Sequence, residues 1–398
     1  MQKQIGAIFL IAGTCIGSGV IALPMVLAKL GIIPSLLIMI VTWSLAYYTS
    51  LFSVELNLHS EKGLPLGAMC KVFSGKYAEI VGNTSLKLLL YALLSVYIHG
   101  ESSVIGKLLE THSIFCDPIV MSTILAVVIF LLLQLPFHIV DKINRISFLL
   151  LIGIFSIPLF ALIVSIDWFQ LPMVQDVSAN SITSVISIVF TSFGFQVIFH
   201  TLRDYLGKDS KGLKRAFLFG SMIPAVVYIL WTCGVLSAMY GSNMDFYHRM
   251  ATDGVGVGEV INELSKIAGL PQLQMLVWWL SIFAIFTSIL GVGVGLVGSF
   301  NTMFEKIVPV VWKRNITSTL IAILPSYLVA ILVPNAFIRV FKFAGAILTL
   351  IAILLPMYLL WASKIKDLNY KELKNKLLIL LSLLFAIGII VIEICGVM

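Results

Sequence analysis

The sequence predicts an all-α polytopic membrane protein, a bundle of eleven membrane-crossing helices, two of them interrupted at mid-depth. Three observations lead there. The 398 residues are 60% hydrophobic and only 11% charged, whereas soluble domains carry roughly 25% charged residues. The apolar residues fall in continuous runs, long enough for helices and unlike the short alternating segments of a membrane β-barrel. The first and sixth runs carry small and polar residues in their middle.

The eleven runs lie at about 5–29, 33–57, 83–106, 119–136, 146–166, 181–203, 216–240, 273–303, 316–333, 337–361 and 377–396. The connections are short, so residues 1–398 form one transmembrane domain with no soluble part. Two connections are more than linkers. Residues 58–80 hold Gly63, Pro65, Gly67 and Gly75, which suit a short helix lying along the membrane face. In residues 241–272, Val257, Val260, Ile261, Leu264 and Ile267 recur at helical spacing, the mark of an amphipathic helix. It reads either as a surface helix or as a moving lid.

Lys and Arg set the orientation. With the N-terminus in the cytoplasm, the inner segments hold Lys3; Lys62, Lys71 and Lys76; Lys142 and Arg145; Arg203, Lys208, Lys211, Lys214 and Arg215; Lys306, Lys313 and Arg314; and Lys364, Lys366, Lys371, Lys374 and Lys376. The outer side keeps Lys29, Lys107, Arg249, Lys266, Arg339 and Lys342. This bias predicts an N-terminus inside and, with eleven spans, a C-terminus outside. It also explains the net charge of +7 as an anchor to the inner face of the lipid bilayer, so no nucleic-acid partner is expected. Cys15, Cys70, Cys116, Cys233 and Cys395 form no C-x-x-C pair, and no metal or cofactor is expected.

The first run contains Gly13-Thr14-Cys15-Ile16-Gly17-Ser18-Gly19. Glycine costs about 1 kcal/mol in a helix interior relative to Ala. The cluster therefore predicts a helix that stops and restarts halfway across. Unwound backbone at that depth survives only against protein or a watery cavity. The free N–H groups that open the second half-helix carry partial positive charge and suit a carboxylate. The sixth run repeats the pattern with Thr191-Ser192-Phe193-Gly194-Phe195-Gln196. Two interrupted helices five spans apart match an inverted repeat with the substrate site at the midplane: residues 1–166, then 181–361, with 377–396 as an addition. A competing reading of Gly13 and Gly17, and of Gly291, Gly293, Gly295 and Gly298 in the eighth run, is close helix packing.

At these residues the chain resembles the hydroxy and aromatic amino acid permease family, the bacterial tyrosine and tryptophan permeases of the amino acid–polyamine–organocation superfamily. The similar text is Ile11 to Pro24; Thr191 to Phe195 with Tyr205 to Asp209 and Leu213 to Ala216; Thr287 to Val292; and Pro334 to Phe337 with Ala344, Gly345 and Pro356. It covers nearly the whole chain, and tyrosine permeases look nearest. The resemblance implies a leucine-transporter-like fold of five-plus-five inverted repeats plus an eleventh helix, and proton-coupled uptake of an aromatic amino acid. It implies that Gly17, Ser18 and Gly19 bind the substrate carboxylate, that carbonyls near Thr14, Cys15 and Phe193 take the ammonium, and that Phe193 and Phe195, around Gly194, flank the ring. A zwitterion held this way needs no charged side chain, each of which costs roughly 2.5–3.5 kcal/mol at mid-bilayer.

Some residues depart from the family. The third run has His99 and Glu101 where the family is richer in Gly and Ser. Glu101 either carries the coupled proton, bonds a phenol, or is simply solvated near the outer end. His99 reads as a packed or vestibule histidine. Gln196 stands where the family more often has His, with His200 four residues on and on the same helical face; either is a candidate for substrate contact or proton handling. Glu55 and Glu393 sit near span ends and read as solvated. The fifth run lacks the Lys that replaces sodium in related proton-driven carriers, and the Thr287 and Ser288 hydroxyls offer oxygen ligands for a hard cation. Protons remain the expected coupling ion and Na+ the alternative, with a small-molecule amino acid as substrate and no required protein partner. The sequence shows no H-E-x-x-H or other catalytic pair, no P-loop, no repeated pore motif and no signalling domain. An enzyme, an ATP-driven pump, a channel and a receptor are therefore disfavoured.

Overall fold

The computed structural model describes residues 2–397 apart from 166–170, 253, 269–270, 306, 334, 364 and 366. Lys306, Pro334, Lys364, Lys366 and the end of the fifth run, all used above, lie outside the described residues. Among the described residues every regular element is helical. The first run is two helices, α1 (Gln2–Cys15) and α2 (Gly19–Leu27), bent by 52°. Next come α3 (Ile32–Leu58), the short α4 (Leu66–Ser74), α5 (Lys76–Thr111), α6 (Pro118–Gln134) and α7 (Phe137–Ser165). The sixth run is α8 (Ala179–Ser192), a 3-10 segment at Gly194–Ile198, and α9 (Phe199–Leu206). The remainder is α10 (Ser210–Ser242), α11 (Met244–Ala251), α12 (Val257–Ile267), α13 (Pro271–Phe304), α14 (Val311–Leu332), α15 (Ala336–Thr349), a π-helical turn at Leu350–Leu354, α16 (Leu355–Ala362) and α17 (Lys376–Val397).

Among the described residues, nine helical segments are long and apolar enough to cross a membrane, or ten counting the bent pair. The fourth expected span is α6, apolar throughout but 17 residues long, just under the roughly 20 a bilayer needs. Its start is well defined. Pro118 opens the helix and the Asp117 carboxylate accepts from the amides of Ile119 at 2.8 Å and Val120 at 3.3 Å, a cap that satisfies two otherwise free donors.

Helix ends overrun the hydropathy boundaries. The fifth run was expected from 146, yet α7 begins at Phe137. Asp141 and Arg145 lie one turn apart and pair at 2.9 Å, so charges that read as a loop continue the helix. The amphipathic segment forms as α12, burying Val257, Val260, Ile261 and Leu264. It docks on α5, where the Gly258 amide donates to Ser103 Oγ at 3.1 Å. A Cβ at Gly258 would strike the Ser103 carbonyl, so the contact needs glycine.

The end of the bundle that holds Arg203 and Lys214, here the basic end, is closed by buried polar groups. Glu55, expected in water, is fully buried. Its carboxylate accepts from the Asn369 amide at 2.8 Å, Asn369 Nδ2 at 3.1 Å, the Tyr370 amide at 3.1 Å and His59 Nε2 at 3.0 Å. Away from the basic end, near the other end of α17, Glu393 accepts from the Ser187 hydroxyl of α8. Arg203 is buried too. Its Nε donates to the Asn57 carbonyl and its Nη2 to the Ser60 carbonyl, each at 3.2 Å. These carbonyls lie in the last turn of α3 and just beyond it, where cations are favoured. Beside it, Asp204 accepts from the Gly63 amide at 2.6 Å. In the 369–372 segment burial pushes the Tyr370 phenol up. Burial also raises Glu372, but the Lys214 ammonium overcomes this and holds it below the usual carboxylate range.

The Glu55→Ala substitution leaves the Asn369 and Tyr370 amides unpaired. It is expected to destabilise the protein by about 1–3 kcal/mol and lower the melting temperature in detergent. Glu55→Gln, which keeps an acceptor oxygen, is expected to lose less. Intrinsic fluorescence during heating measures both.

Candidate functional site

The first helix breaks over three residues. The last bond of α1 runs from the Ile16 amide to the Ala12 carbonyl at 3.1 Å. The ladder resumes with Val20 to Gly17 and Ile21 to Ser18, both at 3.1 Å. Among the described residues no backbone carbonyl accepts from the amides of Gly17, Ser18 or Gly19. Ser18 occupies the N-cap of α2 without using its hydroxyl as a cap. That hydroxyl instead meets Tyr97 of α5. All three residues are buried, so three donors at the positive end of α2 lie away from solvent.

Each glycine around the break admits a different neighbour. A Cβ at Gly13 would lie 2.9 Å from the Phe148 ring of α7, at Gly17 2.5 Å from Ser288 Oγ of α13, and at Gly19 2.7 Å from the Tyr228 hydroxyl of α10. Packing and helix breaking are therefore served by the same residues. In α13, Gly293 packs against Leu133 of α6, while Gly291 and Gly298 face open space.

Tyr228 joins the two breaks. Its hydroxyl donates to the Cys15 carbonyl at the end of α1 and lies 3.2 Å from the Ser192 carbonyl at the end of α8. Its ring meets Phe193 edge-on, with centroids 5.5 Å apart. Phe193 thus belongs to the cluster formed by Cys15, Ser18, Tyr97 and Tyr228. The Phe195 backbone also meets Cys15, while its buried ring packs on Phe217 with centroids 6.1 Å apart. Gly194 is open on its Cβ side, with only Leu348 at 3.8 Å. The Thr14 hydroxyl is turned back on the Ile11 carbonyl at 2.7 Å.

Gln196 and His200 part company. Gly194–Ile198 is a 3-10 segment with three residues per turn, so the α-helical phase that would align them is lost. Gln196 is buried and its Nε2 donates to the Ala46 carbonyl of α3 at 3.3 Å. His200 is half-buried against Phe199, and its Nδ1 has no partner among the described residues. The hydroxyls of Thr287 and Ser288 donate within α13, to the Phe283 carbonyl at 2.9 Å and the Ala284 carbonyl at 3.0 Å. Of the two, Ser288 touches the break.

Glu101 is not solvated. It is 2% exposed, and its Oε2 has no hydrogen-bond partner among the described residues. His99, two residues earlier, turns the other way: its Nδ1 lies 3.1 Å from the Ala330 carbonyl of α14. There it lines a cavity of about 460 Å³ between α5, α6, α12 and α14, with Ser102, Lys107 and Glu259. Tyr97 and Tyr228 were missed in the sequence, although a phenol within an apolar span normally needs a hydrogen-bond partner.

The tryptophan/tyrosine permease family model matches residues 1–393. The chain belongs to that family. It is a multi-pass permease and not an enzyme, as the resemblance in the sequence implied. It is 30% identical over 368 residues to tyrosine-specific transport system 1 of Haemophilus influenzae, covering 92% of this chain and 89% of that one. It is 28% identical to tyrosine-specific transport system 2 of the same organism, covering 98% and 96%. It is 26% identical to glutamine transporter 2 of Aliivibrio fischeri, covering 98% and 99%.

In this permease the Gly17–Ser288 contact leaves no room for a methyl group. Gly17→Ala is expected to cost about 1–3 kcal/mol of stability through overpacking. Adding Ser288→Ala removes the clashing oxygen and is expected to recover most of that loss. Denaturation of both single variants and the double variant in detergent closes the cycle.

Proposed function

We propose that this permease imports an aromatic amino acid, tyrosine first and tryptophan second, by proton symport with alternating access. It works in the bacterial inner membrane with its N-terminus in the cytoplasm and its C-terminus outside. The observation that carries this reading is the set of buried amides at Gly17, Ser18 and Gly19 that have no partner among the described residues. A buried donor without a partner costs about 1–3 kcal/mol, and a substrate carboxylate would satisfy all three.

The ammonium of the same zwitterion goes to the carbonyl ends of α1 and α8. Cys15 and Ser192 already face the Tyr228 hydroxyl, but a carbonyl has two lone pairs and can accept again. Phe193, edge-on to Tyr228, supplies an aromatic wall for the ring. Residues 1–166 and 181–361 serve as the two inverted halves of a leucine-transporter-like fold, with 377–396 as the eleventh helix. Supporting this, each half opens on an interrupted helix. The basic end, with Arg203, Lys214 and the 369–372 segment, faces the cytoplasm on the charge rule.

A second reading has its own support. Ser288 Oγ stands against Gly17, where a hydroxyl oxygen beside helix-end carbonyls suits a sodium ion. The glutamine transporter among the relatives keeps a non-aromatic neutral amino acid as the alternative substrate. In the proton reading the candidates for the coupled site are Glu101 and His200. In the sodium reading they are Thr287 and Ser288.

Uptake of labelled tyrosine into proteoliposomes, with an inward proton gradient in one set and an inward sodium gradient in another, separates the readings. Accumulation with protons alone, competed by tryptophan, is expected. Accumulation with sodium alone would move the coupling site to Ser288. Failure of tyrosine under both gradients, with glutamine accumulating, would overturn the aromatic substrate.

A further inference from the structure

Among the described residues, Glu101 and His200 are titratable side chains of the bundle left without a full set of partners and without a part in holding the zwitterion. They are not equivalent. His200 is half-buried at the basic end, with Asp204 one turn along its own helix. An imidazole is neutral at little cost in such a place. A carboxylate at 2% exposure with an orphaned oxygen has no such freedom, because burying a charge without a partner is far more costly than burying the acid.

Helix geometry aims Glu101 at the substrate site. It follows Tyr97 by four residues, about 6 Å along α5 and about 40° around it. Tyr97 reaches the Ser18 hydroxyl at the break. His99, Ser102 and Ser103 cover the opposite face of α5, where the cavity of about 460 Å³ lies, so that cavity does not hydrate Glu101. Between the two faces, Gly100 lies against Phe337 and Ile285, so this side is sealed by apolar side chains.

Among the described residues no ion pair or hydrogen bond sets a charge against it. Among the elements packed on α5, α6 and α13 contain no Asp, Glu, Lys or Arg. On α12 the charged groups are Glu259, Glu263 and Lys266, the last two paired at 3.5 Å. On α15 they are Arg339, which is exposed, and Lys342. On α4 the charge is Lys71, paired with Glu79. On α14 Lys313 and Arg314 sit at its first turn, and the Tyr327 phenol is shared with Thr123. The phenols nearest the face of Glu101 are Tyr97 and, beyond it, Tyr228. Among the described residues no ion pair includes Glu101.

We infer that Glu101 carries the coupled proton, an assignment that rests on the proton-symport reading above. When the site opens to outer water the carboxylate is hydrated and takes a proton, forming one O–H bond. It passes through the closed state as the neutral acid, alongside the amino acid. When the site opens inward, water reaches the acid, the O–H bond breaks and the proton leaves to the cytoplasm. No electron moves, and one proton crosses for each cycle of the group.

The test uses the full-length protein in liposomes as wild type, Glu101→Gln and Glu101→Asp. Two transport readouts are taken with labelled tyrosine: accumulation under an inward proton gradient, and counterflow against preloaded tyrosine with no gradient. A third readout needs no substrate: the infrared band of a neutral carboxylic acid at pH 7. Wild type is expected to accumulate, exchange and show the band. Glu101→Gln is expected to exchange but not accumulate, and to lack the band. Glu101→Asp is expected to regain accumulation. Proton-driven accumulation by Glu101→Gln at the wild-type level would overturn the assignment. So would an unchanged infrared band in that variant, or loss of exchange along with accumulation that Asp does not rescue. Absence of tyrosine counterflow in the wild type would count against the substrate, while the infrared comparison still decides the protonation of Glu101.

Discussion

Three backbone amides without a partner among the described residues, at Gly17, Ser18 and Gly19, set the terms for the rest of the bundle. A membrane interior offers no water to satisfy them. The surrounding helices must therefore fence the break and leave a place for an acceptor. They do so by close approach: α7 through Phe148, α13 through Ser288 and α10 through Tyr228 each press on one glycine. A side chain larger than hydrogen at any of these positions would push a wall of the site outward.

The same constraint links the two interrupted helices. One hydroxyl, on Tyr228, faces the carbonyl ends of both α1 and α8. At the basic end α9 is held by Arg203 and Asp204 to the turn after α3, and α3 is held by Glu55 to the segment before α17. The second broken run is thus held at its basic end by hydrogen bonds, and at the breaks one hydroxyl joins it to the first.

Much of the architecture was legible because its signals are strong and local. Continuous apolar runs marked the spans. A glycine cluster marked the first break, and a helical period marked α12. What misled was charge. Asp141 and Arg145 read as a loop but pair one turn apart inside α7. Glu55 read as solvated, and solvation stood among the readings of Glu101, because both lie towards span ends, yet both are buried. Hydropathy scores a residue by its type and cannot register the backbone amides of Asn369 and Tyr370, which are distant in sequence and satisfy Glu55. The second break was legible in Gly194, but its 3-10 form was not, and that form separates Gln196 from His200. Tyr97 and Tyr228 signalled only a need for some partner, as phenols within apolar spans; the fold alone brings their hydroxyls to Ser18 and Cys15.

The most direct test of the account is an experimental structure of the protein with tyrosine bound. The amides of Gly17, Ser18 and Gly19 are predicted to donate to the tyrosine carboxylate at about 2.7–3.2 Å, with the amino group toward the carbonyl ends of α1 and α8 and the ring beside Phe193. Tyrosine seated elsewhere, for instance in the cavity lined by His99 and Lys107, with the three amides still unpaired, would contradict it.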